Sequence, residues 1–495
     1  MSVLLSRATS RAYENLVTGV VHTISERFRT VDRPSSGASL HTLETLVDRV
    51  SLNGPGVGTD RALEEVDTLV AEHAVWYHHP DYLAHLNCPV ALPAVAADAV
   101  LSAVNPSIDT WDQSKAATLI ERRVLRWTSD RIGFAAGDGV FTSGGTQSNM
   151  HALLLARETA LEQLLHAEPT LSRPEAAARL TVFAGASAHF SVRKACFLLG
   201  LDDRAVVEVA EDARGRIDPA ELDDHIAALA ETGSWAMAVV ATAGTTDRGS
   251  IDPLGAIAEL AERRGIWLHV DAAYGCGLLL SPTRRSLLDG IERASSATVD
   301  FHKSLFQPVS SSALIVRDPR DLRRIRWHAD YLNPVGDEEP NQVDVSLQTT
   351  RRADALKLWT TLRAVGPAEL GRMFDRVLDT AAAVHAELAA HPEVDLVAPT
   401  DLSTVLFRVR PLGCSVEESG ALVPGIRSTL LDRGTIHVAK TVIDGTPCLK
   451  LTLLNPDVEV TQVLDAVDRI VEVGRELLSG EGAGRSAMVV QGGHP

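Results

Sequence analysis

The chain has 495 residues, with 47 Lys+Arg against 65 Asp+Glu and a formal net charge of −18. Hydrophobic residues make up 45% and charged residues 23%, which excludes bulk disorder and allows about two to four domains. The acidic balance argues against nucleic acid or a membrane surface as partner. Five scattered cysteines form no CxxC pair, so a disulfide framework and a zinc ribbon are not expected, and a cytoplasmic location is. No apolar leader opens the chain, no stretch approaches the ~18 apolar residues of a membrane span, and no metal site is expected.

Residues 10–28 predict an amphipathic helix, because Tyr13, Leu16, Val17, Val20, Val21 and Ile24 recur at helical spacing. Segment 33–58 is rich in Ser, Gly and Pro and reads as a loop. Residues 94–104 and 117–128 read as helices. From Gly139 onward, short β-rich runs alternate with helical stretches: Gly139–Ser143, Leu180–Ala184, Ala205–Val209, Ala236–Ala241, Ile266–Val270, Ser296–Val299 and Ser312–Val316. That alternation predicts an α/β fold, a mostly parallel seven-stranded sheet with helices on both faces. A long helical stretch follows Ala353. Strand-like runs Thr404–Val409 and Cys448–Leu453 and a last helix over 460–478 predict a small α+β C-terminal domain. The expected division is an N-terminal helical segment 1–95, a large domain 96–375, a small domain 376–480 and a disordered tail 481–495.

Ligands of open α/β sheets bind beyond the carboxyl ends of the strands, so the residues after each run are the candidates. Ser143 leads into Gly144, Gly145 and Thr146 and then a helix, a backbone suited to a phosphate, although the Gly pair alone also reads as a tight turn capped by Thr146. It is neither a Walker loop nor GxGxxG. Leu180–Ala184 runs on to His189, and Ala236–Ala241 to Thr246. Asp271 ends a buried run and needs a cationic partner, or else caps a helix. Lysine is scarce, and Lys303 stands beside His302 just past Asp300 at another strand end. A desolvated lysine near cations has a lowered pKa and forms Schiff bases. Phosphate cradle, carboxylate, imidazole and amine together are what pyridoxal 5'-phosphate requires.

The runs Val140–Asn149, Ala188–Ser191, Gly244–Thr246, His269–Tyr274 and Asp300–Lys303 resemble the group II pyridoxal-phosphate decarboxylases across about residues 75–455. Tyr82–Pro89, Asp109–Ser114 and Ser346–Arg352 resemble, more closely, the lysine decarboxylases of desferrioxamine-type siderophore pathways, and diaminobutyrate decarboxylases share much of this. The resemblance implies an aspartate-aminotransferase-like chain of fold type I, binding pyridoxal 5'-phosphate and acting as a homodimer with sites at the subunit interface. It implies that Lys303 tethers the cofactor, Asp271 pairs its ring nitrogen and His189 stacks on the ring. Gly145, Thr146 and His302 would hold the phosphate, with Asp300 a less regular contact, and Thr246 would approach the ring. Relatives carry a proton-returning tyrosine on a mobile loop; its position falls near Gln342 here, so either Tyr331, the tyrosine nearby, takes the role by a different loop path, or His189, which would also assist reprotonation, or water does.

For the substrate, the resemblance points to L-lysine, giving cadaverine, with L-ornithine next. The alternatives are L-2,4-diaminobutyrate, an aromatic amino acid, or a fold type I aminotransferase or lyase reaction. Asp109, with Asp112 behind it, is the candidate for a distal ammonium, unless it caps a helix. Cys88 and His85 are further candidates for the substrate pocket. Arg351 and Arg352 read either as ligands of an α-carboxylate or as a salt-bridged helix start.

Overall fold

Each of the seven expected runs forms a strand, because each is short and apolar, and most are closed by Gly, Thr, Ser or Asp. The computed structural model describes residues 3–480 apart from 203, 337 and 412; the expected tail 481–495 lies outside the described residues. The strands are β1 (Asp138–Thr142), β2 (Leu180–Gly185), β3 (Val206–Val209), β4 (Trp235–Thr242), β5 (Trp267–Asp271), β6 (Ser296–Asp300) and β7 (Ser312–Val316). They pair in the order β1-β7-β6-β5-β4-β2-β3. β2, β3, β4, β5 and β6 are parallel, and β7 runs antiparallel to both its neighbours, β1 and β6. β2, β5, β6 and β7 are buried throughout, as strands covered on both faces must be. The helix Gly145–Ala167 turns Ala152, Leu153, Ala156 and Ala160 onto Val182, Val240 and Leu314, the small residues letting its backbone come close to the sheet.

Register decides what meets at the carboxyl edge. Thr242 pairs with Asp271, and Asp271 with Thr298. Ser312, at the start of the reversed strand β7, lies opposite both Thr142 and Asp300. One edge therefore collects the ends of β1, β4, β5 and β6 with the beginning of β7.

This sheet belongs to a compact unit of Leu86–Asp379 and Ala398–Thr404. The other unit joins the chain up to His85 with Thr380–Val397 and the stretch from Val405 on. The first 85 residues thus group with the C-terminal part instead of forming the separate 1–95 segment expected. That unit carries a four-stranded sheet, in the order β10-β11-β9-β8, of β8 (Val394–Ala398), β9 (Thr404–Val409), β10 (Ala439–Ile443) and β11 (Thr446–Thr452). Its core packs Val405, Phe407, Leu449 and Leu451 against Val463, Val467 and Ile470 of the last helix, Val460–Ser479.

Two expectations change. Segment 33–58 contains a helix, Leu40–Asp48, whose N-cap Ser39 accepts from the Thr42 amide at 3.1 Å. The stretch after Ala353 is two helices, Ala355–Ala364 and Pro367–Leu388, parted at Gly366, whose φ of +83° is open to glycine. Among the described residues no helix is long and apolar enough to cross a membrane.

Candidate active site

The carboxyl edge of the large sheet opens into a cavity of ≈ 340 Å³. Eight of the predicted residues line it: Gly145, Thr146, His189, Thr246, Asp271, Asp300, His302 and Lys303.

The Gly-rich end of β1 is built to leave amides open. The Gln147 side chain reaches back to accept from the backbone N–H and hydroxyl of Ser143, each at 2.8 Å, and so fixes the turn. The Gly144 carbonyl takes the amides of Gln147 and Ser148, at 2.9 and 3.1 Å. The N–H groups of Gly145 and Thr146 open the helix and have no carbonyl a turn behind them to bond. A Cβ at position 145 would stand 3.0 Å from Asp300 Oδ2, so a side chain there would crowd that carboxylate.

Lys303 projects from the turn after β6, with Nζ 3.2 Å from Asp300 Oδ2. Burial opposes its charge, but Asp300 and then Asp271 outweigh that and raise its pKa. The lowered pKa expected of this lysine is therefore corrected: carboxylates, not cations, surround it. Asp300 itself is buried and accepts from the Ser312 hydroxyl at 2.5 Å. Such a carboxylate, acceptor-only and committed to Lys303 and Ser312, is ill suited to face a phosphate. His302 Nδ1 is 2.8 Å from the Ser311 carbonyl, and burial lowers its pKa.

Asp271 ends β5. Its Oδ2 accepts from Asn149 Nδ2 at 2.7 Å and its Oδ1 from the Ala273 amide at 3.1 Å, and neither partner is a cation. His189 is half-buried, bonded through Nδ1 to the Ser191 hydroxyl at 2.8 Å, and burial lowers its pKa. Tyr274 lines the cavity as well, its hydroxyl 2.7 Å from that of Ser403.

The remaining predicted residues do not line this cavity. Tyr331 is 88% exposed. Asp109 is buried at 5% exposure with no hydrogen-bond partner on Oδ1, and burial raises its pKa. Asp112 accepts from the Thr110 hydroxyl at 2.5 Å. The Cys88 thiol, pushed up to about 12 by burial, contacts the His302 carbonyl at 3.4 Å. His85 is exposed and belongs to the other unit. Arg351 and Arg352 prove to be ion-paired, with Glu121 and Asp98.

Asn149 and Tyr274 line the cavity too, and sequence reasoning left both without a role. Asn149 carried a usable signal, since it follows Gly145 by four residues and so shares its helix face.

The model of the pyridoxal-dependent decarboxylase conserved domain matches residues 57–410, and the chain belongs to that family. It is 42% identical over 473 residues to the L-2,4-diaminobutyrate decarboxylase of Rhizobium meliloti (strain 1021), covering 94% of this chain and 92% of that one. It is 36% identical to the L-2,4-diaminobutyrate decarboxylase of Acinetobacter baumannii, covering 93% and 92%. Among solved structures, it matches the glutamate decarboxylase domain of diaminobutyrate-pyruvate transaminase and L-2,4-diaminobutyrate decarboxylase from Vibrio parahaemolyticus. The TM-score there is 0.87, with 34% identity over 96% of this chain and 98% of that one. The protein is a pyridoxal 5'-phosphate-dependent amino acid decarboxylase with the fold of that family. The closer resemblance to lysine decarboxylases of siderophore pathways is corrected by relatives named for diaminobutyrate.

The site fits this cofactor. Two open amides at a helix N-terminus, with a glycine where a side chain would crowd Asp300, suit a phosphate. Asp271 is a buried carboxylate with no cation hydrogen-bonded to it, which suits a protonated ring nitrogen, and the Lys303 amine lies in the same cavity.

Proposed function

We propose that the protein decarboxylates L-2,4-diaminobutyrate, releasing carbon dioxide and 1,3-diaminopropane. The observation that carries this reading is the match, over more than nine tenths of each chain, to two relatives named for that reaction. Lysine, cadaverine and a siderophore pathway lack such support.

The cavity supports the following roles for the residues that line it. Lys303 tethers the cofactor, Asp271 holds its ring nitrogen protonated, and the amides of Gly145 and Thr146, with His302, take its phosphate. The bound cofactor supplies an electron-poor ring that accepts the pair left on Cα when the bond to the carboxylate breaks. His189 covers the ring, and Thr246 borders it. Asp300 holds the Lys303 ammonium in place. Tyr331, on the segment before Gln342, is the proposed carrier of the proton returned to Cα.

Asp109 is the proposed ligand of the distal ammonium, supported by its unpaired Oδ1. Because it is not part of the cavity lining of its own chain, this role goes with a homodimer in which a second copy completes each site. The 21-residue helix Ser10–Thr30 buries none of its residues, and Val20, Val21 and Phe28 are 40%, 59% and 49% exposed, an apolar face that supports the dimer. Analytical ultracentrifugation is expected to give the mass of two chains; a monomer at micromolar concentration would remove both the dimer and the Asp109 role.

The substrate is tested by decarboxylation of a panel of diamino, acidic and aromatic L-amino acids. The expected kcat/KM for 2,4-diaminobutyrate exceeds that for lysine by more than about tenfold, one methylene-sized step or two of pocket fit. A higher value for lysine, glutamate or an aromatic acid overturns the reading. Asp109→Asn is expected to lower kcat/KM for 2,4-diaminobutyrate by roughly 10–100-fold, the loss of one charge-assisted hydrogen bond worth about 1.5–3 kcal/mol. An unchanged value removes Asp109 from the site.

A further inference from the structure

Behind the cavity lies a chain of buried polar side chains that no step above uses. Trp267 Nε1 donates to Ser296 Oγ at 3.0 Å. Ser296 Oγ is 2.8 Å from His269 Nδ1, and His269 Nε2 is 3.0 Å from Asn149 Oδ1. The Thr298 hydroxyl donates to the same Asn149 oxygen at 2.7 Å. Asn149 Nδ2 donates both to Asp271 Oδ2, at 2.7 Å, and to Ser191 Oγ, at 2.9 Å. Ser191 Oγ then meets His189 Nδ1.

One assignment of the hydrogens satisfies all of these contacts and also gives every donor among them an acceptor. A carboxylate accepts and never donates, so the amide nitrogen of Asn149 must face Asp271. Its oxygen therefore faces His269 and accepts, which requires a hydrogen on His269 Nε2. His269 is fully buried, and burial lowers its pKa to about 4, so the ring is neutral and Nδ1 is bare. Ser296 fills Nδ1 with its hydroxyl hydrogen and takes the Trp267 indole N–H on its oxygen. In the other direction Ser191 accepts from Asn149, and its own hydrogen has one partner, His189 Nδ1. The Ser191 amide also points at that nitrogen, at 3.3 Å. His189 Nδ1 thus accepts twice, and the hydrogen of the neutral ring is on Nε2.

We propose that Asp271, acting through Asn149 and Ser191, locks the neutral His189 ring as its Nε2–H tautomer, with His269 locked the same way on the far side. Asn149, Ser191 and His269 are positioning residues. The carboxylate proposed to pair the cofactor ring also dictates which hydrogen His189 offers to the cavity: a donor at Nε2, with no acceptor nitrogen free. The consequence for turnover rests on the role proposed for His189, but the tautomer is read without turnover, so the two fail separately.

The test is magic-angle-spinning NMR of the full-length holoenzyme carrying ring-15N histidine, with the signals of residues 189 and 269 assigned from His189→Gln and His269→Gln. The expected spectrum has a bare Nδ1 and a protonated Nε2 for both rings. A protonated Nδ1 in neutral His189 overturns the proposal. Ser191→Ala removes the hydroxyl and is expected to turn the single His189 tautomer into a mixture, while Ser191→Thr keeps the hydroxyl and the single tautomer. If Ala and Thr give the same His189 signals, the serine does not set the ring and the proposal fails. The parent spectrum decides the tautomer even if Ser191→Ala does not fold.

Discussion

Replacing Lys303 with alanine is expected to lower kcat/KM by at least on the order of 10³-fold, about 4 kcal/mol of barrier. Borohydride treatment of the cofactor-saturated variant should leave no covalent adduct in the mass spectrum. Of the six lysines in the chain, Lys303 is the one that lines the cavity. Its ammonium is also the counter-charge to Asp300, which is 1% exposed, so alanine removes the amine and strands a buried carboxylate at once. Lys303→Arg separates the two effects. The guanidinium still compensates Asp300, so the arginine variant should unfold close to the parent's denaturant midpoint, yet it cannot form the imine and should be as inactive as alanine. An adduct that survives in either variant would move the tether to another residue.

How much of this was legible in the sequence follows from which forces act locally. Most strands of the large sheet were readable because, covered on both faces, they are continuous apolar runs, and the Thr, Asp and Gly residues that close several of them stand out against them. The eight predicted residues that line the cavity were readable for the same reason, since the strand-end rule turns sequence position into spatial position. The reversal of β7 was not, because a run such as Ser312–Val316 looks the same in either direction, and what orders it is pairing with β1 and β6. The hairpin of β10 and β11 did leave a mark, Asp444-Gly445, both at positive φ, between runs that alternate. Asn149, His269 and Ser191 lay beyond reach as a set. Their partners are as many as 149 residues apart in sequence, and a buried polar network is defined by who bonds whom, which spacing does not encode. The charge around Lys303 failed for a related reason: the adjacent His302 was visible, while the carboxylate that governs the lysine, Asp300, acts through a turn.

The second large effect concerns stability. Glu121 is fully buried, and its Oε1 accepts from Arg351 at 2.6 Å and from Gln342 Nε2 at 2.9 Å. Arg351, 7% exposed, donates in addition to the Phe141 carbonyl at 3.3 Å, in the strand that leads into the Gly-rich turn. The pair thus ties the helix Ala116–Ile132 and the segment around Gln342 to the end of β1. Glu121→Leu leaves a guanidinium buried without its counter-charge and is expected to cost about 3–5 kcal/mol, read as a lowered urea midpoint. Glu121→Leu with Arg351→Met removes both charges and is expected to recover most of that loss, because the cost of desolvating two buried ions offsets most of their mutual attraction. The same double variant decides between the two readings of Arg351. A guanidinium that bound the substrate α-carboxylate would take activity with it when lost, whereas one whose work is to hold Glu121 and the Phe141 carbonyl should leave kcat/KM within a few-fold of the parent once stability is restored. A double variant that is stable but inactive by more than about tenfold would return Arg351 to the substrate.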